Sequence, residues 1–149
     1  MKNRAYGIIP FYQDEETRYL IGQRSGPEGY WKFPKGHKEA GETDIQTALR
    51  ETHEEIGVQI DPADVITERS FQETYTYTDE SGAVEKSNTY WLAPVPKEAV
   101  IELNDEFTRY RVVTFKEALK LLSDNSQEFF TEAHIYLQDG SRCDKDFST

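Results

Sequence analysis

Apolar residues are gathered into a few separated stretches, and their spacing predicts the elements. Arg4–Gln13 and Arg18–Arg24 are rich in Tyr, Ile, Leu and Phe, and the acidic DEET run between them reads as a hairpin turn. Ser25–Tyr30 carries glycines and a proline and reads as a loop, and Trp31–Gly41 is polar and turn-like around Pro34. A helix is predicted next. Thr43 followed by Gln46 fits a capping box, Gly57 sits where a helix stops, and Ile45, Ala48, Leu49 and Ile56 share a face, with Thr52 between them. Val58–Ile60, Val65–Thr78, Thr89–Val95 and Arg109–Phe115 have strand character, with the polar run DESGAVEKSN forming a hairpin. Phe115–Ser123 and Gln127–Leu137 read as closing helices, the first with Ala118, Leu119 and Leu122 on one stripe, and the last dozen residues as a frayed tail. Strands mixed with a central and a terminal helix predict one α/β or α+β layered domain over residues 1–149.

Composition narrows the functional classes. The chain holds 149 residues, too few for two comfortable cores. Seventeen basic against twenty-eight acidic residues give a net charge of -11, so bulk electrostatics will draw it neither to a nucleic-acid backbone nor to an anionic membrane. A polyanion would have to be met by a local basic pocket or by bound cations. No run is long and apolar enough to span a bilayer, and the apolar patch after Met1 is cut off too early for a signal peptide. Cys143 is the single cysteine, which excludes an internal disulfide and a multi-cysteine zinc site. A cytoplasmic protein is expected; the oligomeric state is left open.

The chemistry concentrates between Gly36 and Val58. Glu51, Glu54 and Glu55 stand at i, i+3 and i+4, placing three carboxylates on one face of the predicted helix, away from Ile45 and Leu49. Arg50 can pair with Glu54 but cannot balance three acids. Such a face is either a solvated acidic surface or a seat for hard divalent cations, which take carboxylate oxygens and leave positions for water and substrate phosphates.

The full spacing favours the second reading. Gly36, five residues, Glu42, seven residues, then Arg50-Glu51-Thr52-His53-Glu54-Glu55-Ile56-Gly57-Val58 resembles the Nudix box, with Thr52 where an aliphatic residue is usual. The chain is identified as a member of the Nudix hydrolases. The resemblance implies a mixed sheet sandwiched between helices and metal-dependent hydrolysis of a nucleoside diphosphate linked to another group, with Mg²⁺ or Mn²⁺. Carried over by position, it makes Glu51 and Glu55 the principal metal ligands, helped by the Gly36 carbonyl and Glu54. Arg50 becomes the orienting arginine, Glu42 a supporting acid near the helix start, and Glu54 the choice for general base.

The flanks resemble one branch, the asymmetrical dinucleoside tetraphosphate (Ap4A) hydrolases. Trp31-Lys32-Phe33-Pro34-Lys35-Gly36-His37 is similar to that branch's approach to the box, and Lys35 and His37 offer local positive charge for a phosphate chain. Tyr75 and the Tyr90-Trp91-Leu92-Ala93 run fit it too; there Tyr90 would lie against adenine. In Asp105–Arg111, the resemblance makes Glu106 an extra acid reaching the metals and Tyr110 a second ring for the base. Core packing is the competing reading for Tyr90, and a solvated loop acid for Glu106.

The expected reaction is therefore cleavage of Ap4A to ATP and AMP, with a nucleotide polyphosphate as substrate and neither bulk nucleic-acid nor membrane binding expected. Its nearest rival is an RNA 5′-pyrophosphohydrolase of the same family, which the acidic charge disfavours. A nucleotide-binding sensor without chemistry is a second rival, which the intact box opposes. A di-iron carboxylate protein would need acids on several long facing helices, and this chain offers one.

Overall fold

The structure, a computed structural model, describes residues 2–26 and 29–139; Cys143 and nearly all of the tail expected to fray lie outside the described residues. The strands are β1 (Lys2–Tyr12), β2 (Arg18–Arg24), β3 (Trp31–Lys32), β4 (Lys35–Gly36), β5 (Ile66–Asp79), β6 (Gly82–Pro94) and β7 (Phe107–Thr114). The helices are α1 (Asp44–Ile56), α2 (Phe115–Leu121) and α3 (Asp124–Gln138), with a 3₁₀ turn at Pro62–Asp64. All strands join one mixed sheet: β1 runs parallel to β6, while β5–β6, β1–β2 and β2–β7 are antiparallel.

Two apolar layers flank the sheet because successive strand residues point to opposite faces. Ile8, Leu20, Trp91 and Ala93 pack with Ala48 and Ile56 of α1 on one face. Ile9, Tyr19, Ile21, Tyr90 and Leu92 pack with Phe129, Phe130 and Ala133 of α3 on the other. The expected sheet between helices is what the chain forms. Among the described residues no helix is long and apolar enough to cross a membrane.

α1 forms as its local chemistry dictates. Thr43 and Gln46 close the reciprocal capping box, and Gly57 ends the helix at φ 77° with its N–H on the His53 carbonyl. Two sequence expectations need correction. Val58–Ile60 is not a strand: Val58 and Ile60 are buried in the α1-side layer while Gln59 faces out, so the alternation records burial without ladder pairing. Trp31–Gly41 contains β3 and β4, each two residues long, where the turn-like composition hid short pairings. The DESGAVEKSN run forms the expected hairpin, with Glu80 and Ser81 as its turn and the rest extending β5 and β6, whose outer faces are polar.

Candidate active site

The site begins where the sheet splits. β1 and β2 pair only at Phe11–Tyr19 and Tyr12–Arg18 and then diverge. β3 takes the vacated edge of β2 through Gly22–Lys32 and Gln23–Trp31, and β4 takes that of β1 through Tyr6–Gly36 and Gly7–Lys35. Lys32, Lys35 and Gly36 are thereby delivered into the gap. Gly7 makes this possible: a Cβ there would run into the Pro34 carbonyl, Lys35 and Tyr90.

α1 docks against β4 and brings its acids to the same gap. The Lys35 N–H donates to Glu55 Oε1 at 3.3 Å, and a Cβ on Gly36 would strike the Glu51 carboxylate. The three-acid face divides. Glu55 is 5% exposed and Glu51 is turned inward beside it, but the Glu54 side chain is 51% exposed and leans on Arg50 at 3.2 Å. Positions 51 and 55 are one helical turn apart, whereas 54 is rotated away from the pair's line by the helical step. Burial, and then the hydrogen bond with Glu51, push the Glu55 carboxyl well above the ordinary carboxylate range.

Arg50 is the hub beneath the acids. Its Nε donates to Glu42 Oε2 at 2.6 Å, one terminal nitrogen reaches Glu51 at 3.1 Å, and the other bonds the His37 carbonyl at 2.9 Å. Glu42 also accepts from the Thr47 hydroxyl at 2.8 Å and the Glu39 N–H at 2.9 Å. The Arg50 hydrogen bond, with help from the Glu39 N–H, lowers the Glu42 carboxyl to about 2. Loop, helix start and helix middle are tied through one guanidinium.

Positive charge gathers on the other side of the gap. Lys32 bonds Glu106 Oε2 at 2.6 Å, which leaves Glu106 engaged by a lysine beside the acids of α1. Lys35 is lowered to about 8, by burial first and then by Lys32 and Lys86. Lys86, on β6, is buried and donates to Asn3 Oδ1 at 2.7 Å; His37 meets the same oxygen at 2.7 Å. A chain at -11 thus keeps a cationic cluster of Lys32, Lys35 and Lys86 next to its acids, while His37, expected to add positive charge, is pushed below the ordinary imidazole range by burial and by Lys86 and Lys35.

Adjoining the lysines is a cavity of about 280 Å³ with aromatic walls from Tyr30, Trp31, Phe33, Tyr75 and Tyr90. Tyr90 is 2% exposed and stacks on Phe129 at 4.7 Å and 2°, so its ring closes the back of the cavity and offers no open face for a base. Its core packing has taken the place of the expected stacking role. Tyr110 is not brought to the cavity. It pairs with Gly22 and lies on the face of Leu20, which is the α1 side, while the aromatic walls belong to the α3 side.

Against known proteins, the NUDIX domain family model matches residues 1–133. The chain belongs to the Nudix family. It is 35% identical over 136 residues to the asymmetrical bis(5′-nucleosyl)-tetraphosphatase of Sus scrofa, covering 89% of this chain and 84% of that protein. It is also 30% identical over 139 residues to the RNA pyrophosphohydrolase of Francisella tularensis subsp. mediasiatica, covering 85% and 88%. Among solved structures, a C. elegans Ap4A hydrolase binary complex superposes with a TM-score of 0.74 at 24% identity, over 91% of this chain and 98% of that one. The protein is a Nudix hydrolase, a pyrophosphohydrolase.

The Nudix box residues suit a hard divalent cation. Among the described residues no three His, Cys, Asp or Glu side chains form a ready-made cage, because Glu54 is drawn to Arg50 and Glu106 to Lys32. What converges is a pair of carboxylates, Glu51 and Glu55, with Gly36 pressed against them. Oxygen donors of this kind, one of them holding its proton against burial, are what a cation deprotonates and binds. Thr52, the departure from the box, is fully buried and returns its hydroxyl to the Ala48 carbonyl at 2.7 Å, so the helix packs undisturbed. Sequence reasoning missed Lys32, Lys86, Glu73 and Asn88. The last three lie on β5 and β6, and only the parity of Tyr90 on the same strand pair could have pointed to them.

Proposed function

We propose that this Nudix hydrolase cleaves dinucleoside tetraphosphates asymmetrically, releasing ATP and AMP from Ap4A. The observation that carries the reading is the contact between a carboxylate pair with Glu55 buried, a lysine cluster and an aromatic cavity within one split of the sheet. Phosphates would lie between lysines and acids, with a base in the cavity between rings such as Tyr30 and Tyr75. The Sus scrofa relative is named for this reaction, and that supports the choice.

Glu51, Glu55 and the Gly36 carbonyl would hold Mg²⁺ or Mn²⁺, with Glu54 and Glu106 free to approach once released from Arg50 and Lys32. The cation supplies charge on the phosphate oxygens and an acidified water. Arg50 and Glu42 fix the helix against the loop, so the acid pair keeps its spacing. Lys35 and Lys32 balance the negative charge that redistributes over the phosphates. Glu54, half-exposed and resting on Arg50, would take a proton from water.

A substrate panel with Mg²⁺ tests the reading: Ap4A, 5′-triphosphate RNA, ADP-ribose and nucleoside triphosphates, scored by product. ATP and AMP from Ap4A, with no turnover in excess chelator, is the expected result. The Francisella relative makes triphosphate RNA the second candidate, and brisk pyrophosphate release from RNA beside inert Ap4A would transfer the function to it. In ¹⁸O-labelled water, label appearing in ADP would show symmetrical cleavage and end the asymmetric reading.

A further inference from the structure

The cavity has a polar wall that neither the box nor the phosphates account for. On alternate rungs of the β5–β6 ladder, Phe71 faces Tyr90, Glu73 faces Asn88 and Tyr75 faces Lys86, all on the α3 side of the sheet. Glu73 and Asn88 are 7% and 1% exposed, and both line the cavity. Asn88 Nδ2 donates to Glu73 Oε1 at 2.8 Å and the Ser126 hydroxyl donates to Glu73 Oε2 at 2.8 Å. These bonds fix the amide: its nitrogen must face the carboxylate, so Oδ1 points elsewhere. The Asn88 amide also interacts with the Tyr75 hydroxyl, and among the described residues no donor reaches Oδ1.

The wall is therefore rich in acceptors. A carboxylate has about four acceptor sites and no donor, and each Glu73 oxygen has spent one. Asn88, which also lines the cavity, holds a buried carbonyl oxygen with no partner among the described residues, and such a group is costly unless a donor reaches it when a ligand enters. A ligand edge matched to this wall carries adjacent N–H groups. Among nucleobases guanine presents them, N1–H beside the N2 amino group. Adenine sets an N1 lone pair next to its amino group, and that lone pair would face a carboxylate.

We propose that the cavity is a guanine-selecting base subsite, in which Glu73 and Asn88 determine specificity. The proposal rests on the nucleotide reading above and refines it: one base of the dinucleotide is read in the cavity, and the other is left unselected. Aromatic walls hold any base, since stacking is tolerant of sequence. Discrimination comes from the buried polar groups, which a wrong edge leaves unpaired.

The test compares diguanosine, diinosine and diadenosine tetraphosphates by kcat/KM, and GMP with AMP by calorimetry on the Mg²⁺-loaded protein. Guanine should exceed adenine by about tenfold or more in both, with hypoxanthine, which has N1–H but no N2 amino group, between them. Glu73→Gln keeps the shape and replaces one acceptor by a donor, so it should reverse the order in favour of adenine. Should that variant fail to fold, Asn88→Val removes the orphaned oxygen and should reduce the guanine preference severalfold. Equal binding of GMP and AMP by the parent protein, or an unchanged preference in Glu73→Gln, overturns the guanine subsite while leaving tetraphosphate hydrolysis standing. A GMP preference without any tetraphosphate turnover would instead support the subsite and remove the proposed reaction. Binding of neither mononucleotide, with no base preference among the tetraphosphates, overturns the subsite and leaves the hydrolysis to be decided by turnover.

Discussion

Arg50 Nε lies 2.6 Å from Glu42 Oε2, joining the middle of α1 to the loop that precedes it. The contact spans eight residues of sequence and holds the His37 carbonyl in the same grip. Because neither side chain needs to touch substrate for this, both are positioning residues. Glu42→Gln and Arg50→Ala should each reduce activity and metal affinity by about 10- to 100-fold, as the loss of groups that orient ligands does. Titration of Mg²⁺ followed by tryptophan fluorescence reads the affinity. A lower melting temperature with unchanged activity per folded molecule would refute the positioning role.

Glu55 sets function against stability. Its carboxyl is raised by burial and by Glu51, so the folded chain keeps a proton that the unfolded chain releases above its ordinary value near 4.5. Metal-free stability should accordingly fall as pH climbs from that value toward neutrality, where the unfolded state binds fewer protons. Glu55→Gln should flatten the decline, raise the metal-free melting temperature near pH 7.5, and abolish the gain on adding Mg²⁺. The same substitution should lower kcat by two or more orders of magnitude. A variant that melts lower and still responds to Mg²⁺ would contradict this account.

Lys35 should impose an alkaline limit. Burial and the neighbouring lysines bring its ammonium down to about 8, so it is charged below that pH and neutral above it. The profile of kcat/KM should bend downward near pH 8, and Lys35→Arg should move the bend to higher pH because a guanidinium stays charged. An identical bend in both proteins would assign it to another group.

The two tyrosines of β5 and β6 at the cavity should separate cleanly. Tyr90→Ala removes a ring packed against Phe129 and Phe33, at a cost of about 3–5 kcal/mol, roughly 10 °C in melting temperature. Tyr75→Ala, part-exposed on the wall, should leave melting nearly unchanged and raise KM by about tenfold. If Tyr90→Ala melts normally and only KM rises, its ring does stack on the base after all.

Those contrasts show what was legible beforehand. The ends of α1 could be read because a capping box and a left-handed glycine are local chemistry. Glu42, Arg50, Glu51 and Glu55 converge as their spacing implied, since one helix and one short loop carry them. Glu54 diverged because a single helical step and one arginine turn it to solvent. Glu73, Asn88 and Lys86 were invisible, since their meeting depends on the register of two long strands whose polar residues give no sign of which face is buried. Tyr110 was misplaced for the same reason: parity along β7, counted from Gly22, decides its side.

The sheet is in effect two panels sewn along a two-rung hem. One panel carries β2, β3 and β7 with Lys32 and Glu106; the other carries β1, β4, β5 and β6 with Lys35, Gly36 and the docked α1. Opening the hem needs few backbone bonds to break, far fewer than pulling β1 from its ten partners on β6. Amide exchange should accordingly be fastest at Tyr12 and Tyr19 relative to the middle of β1, and it should slow when a ligand bridges the lysines of both panels. A polyphosphate would then serve as the stitch that the backbone omits.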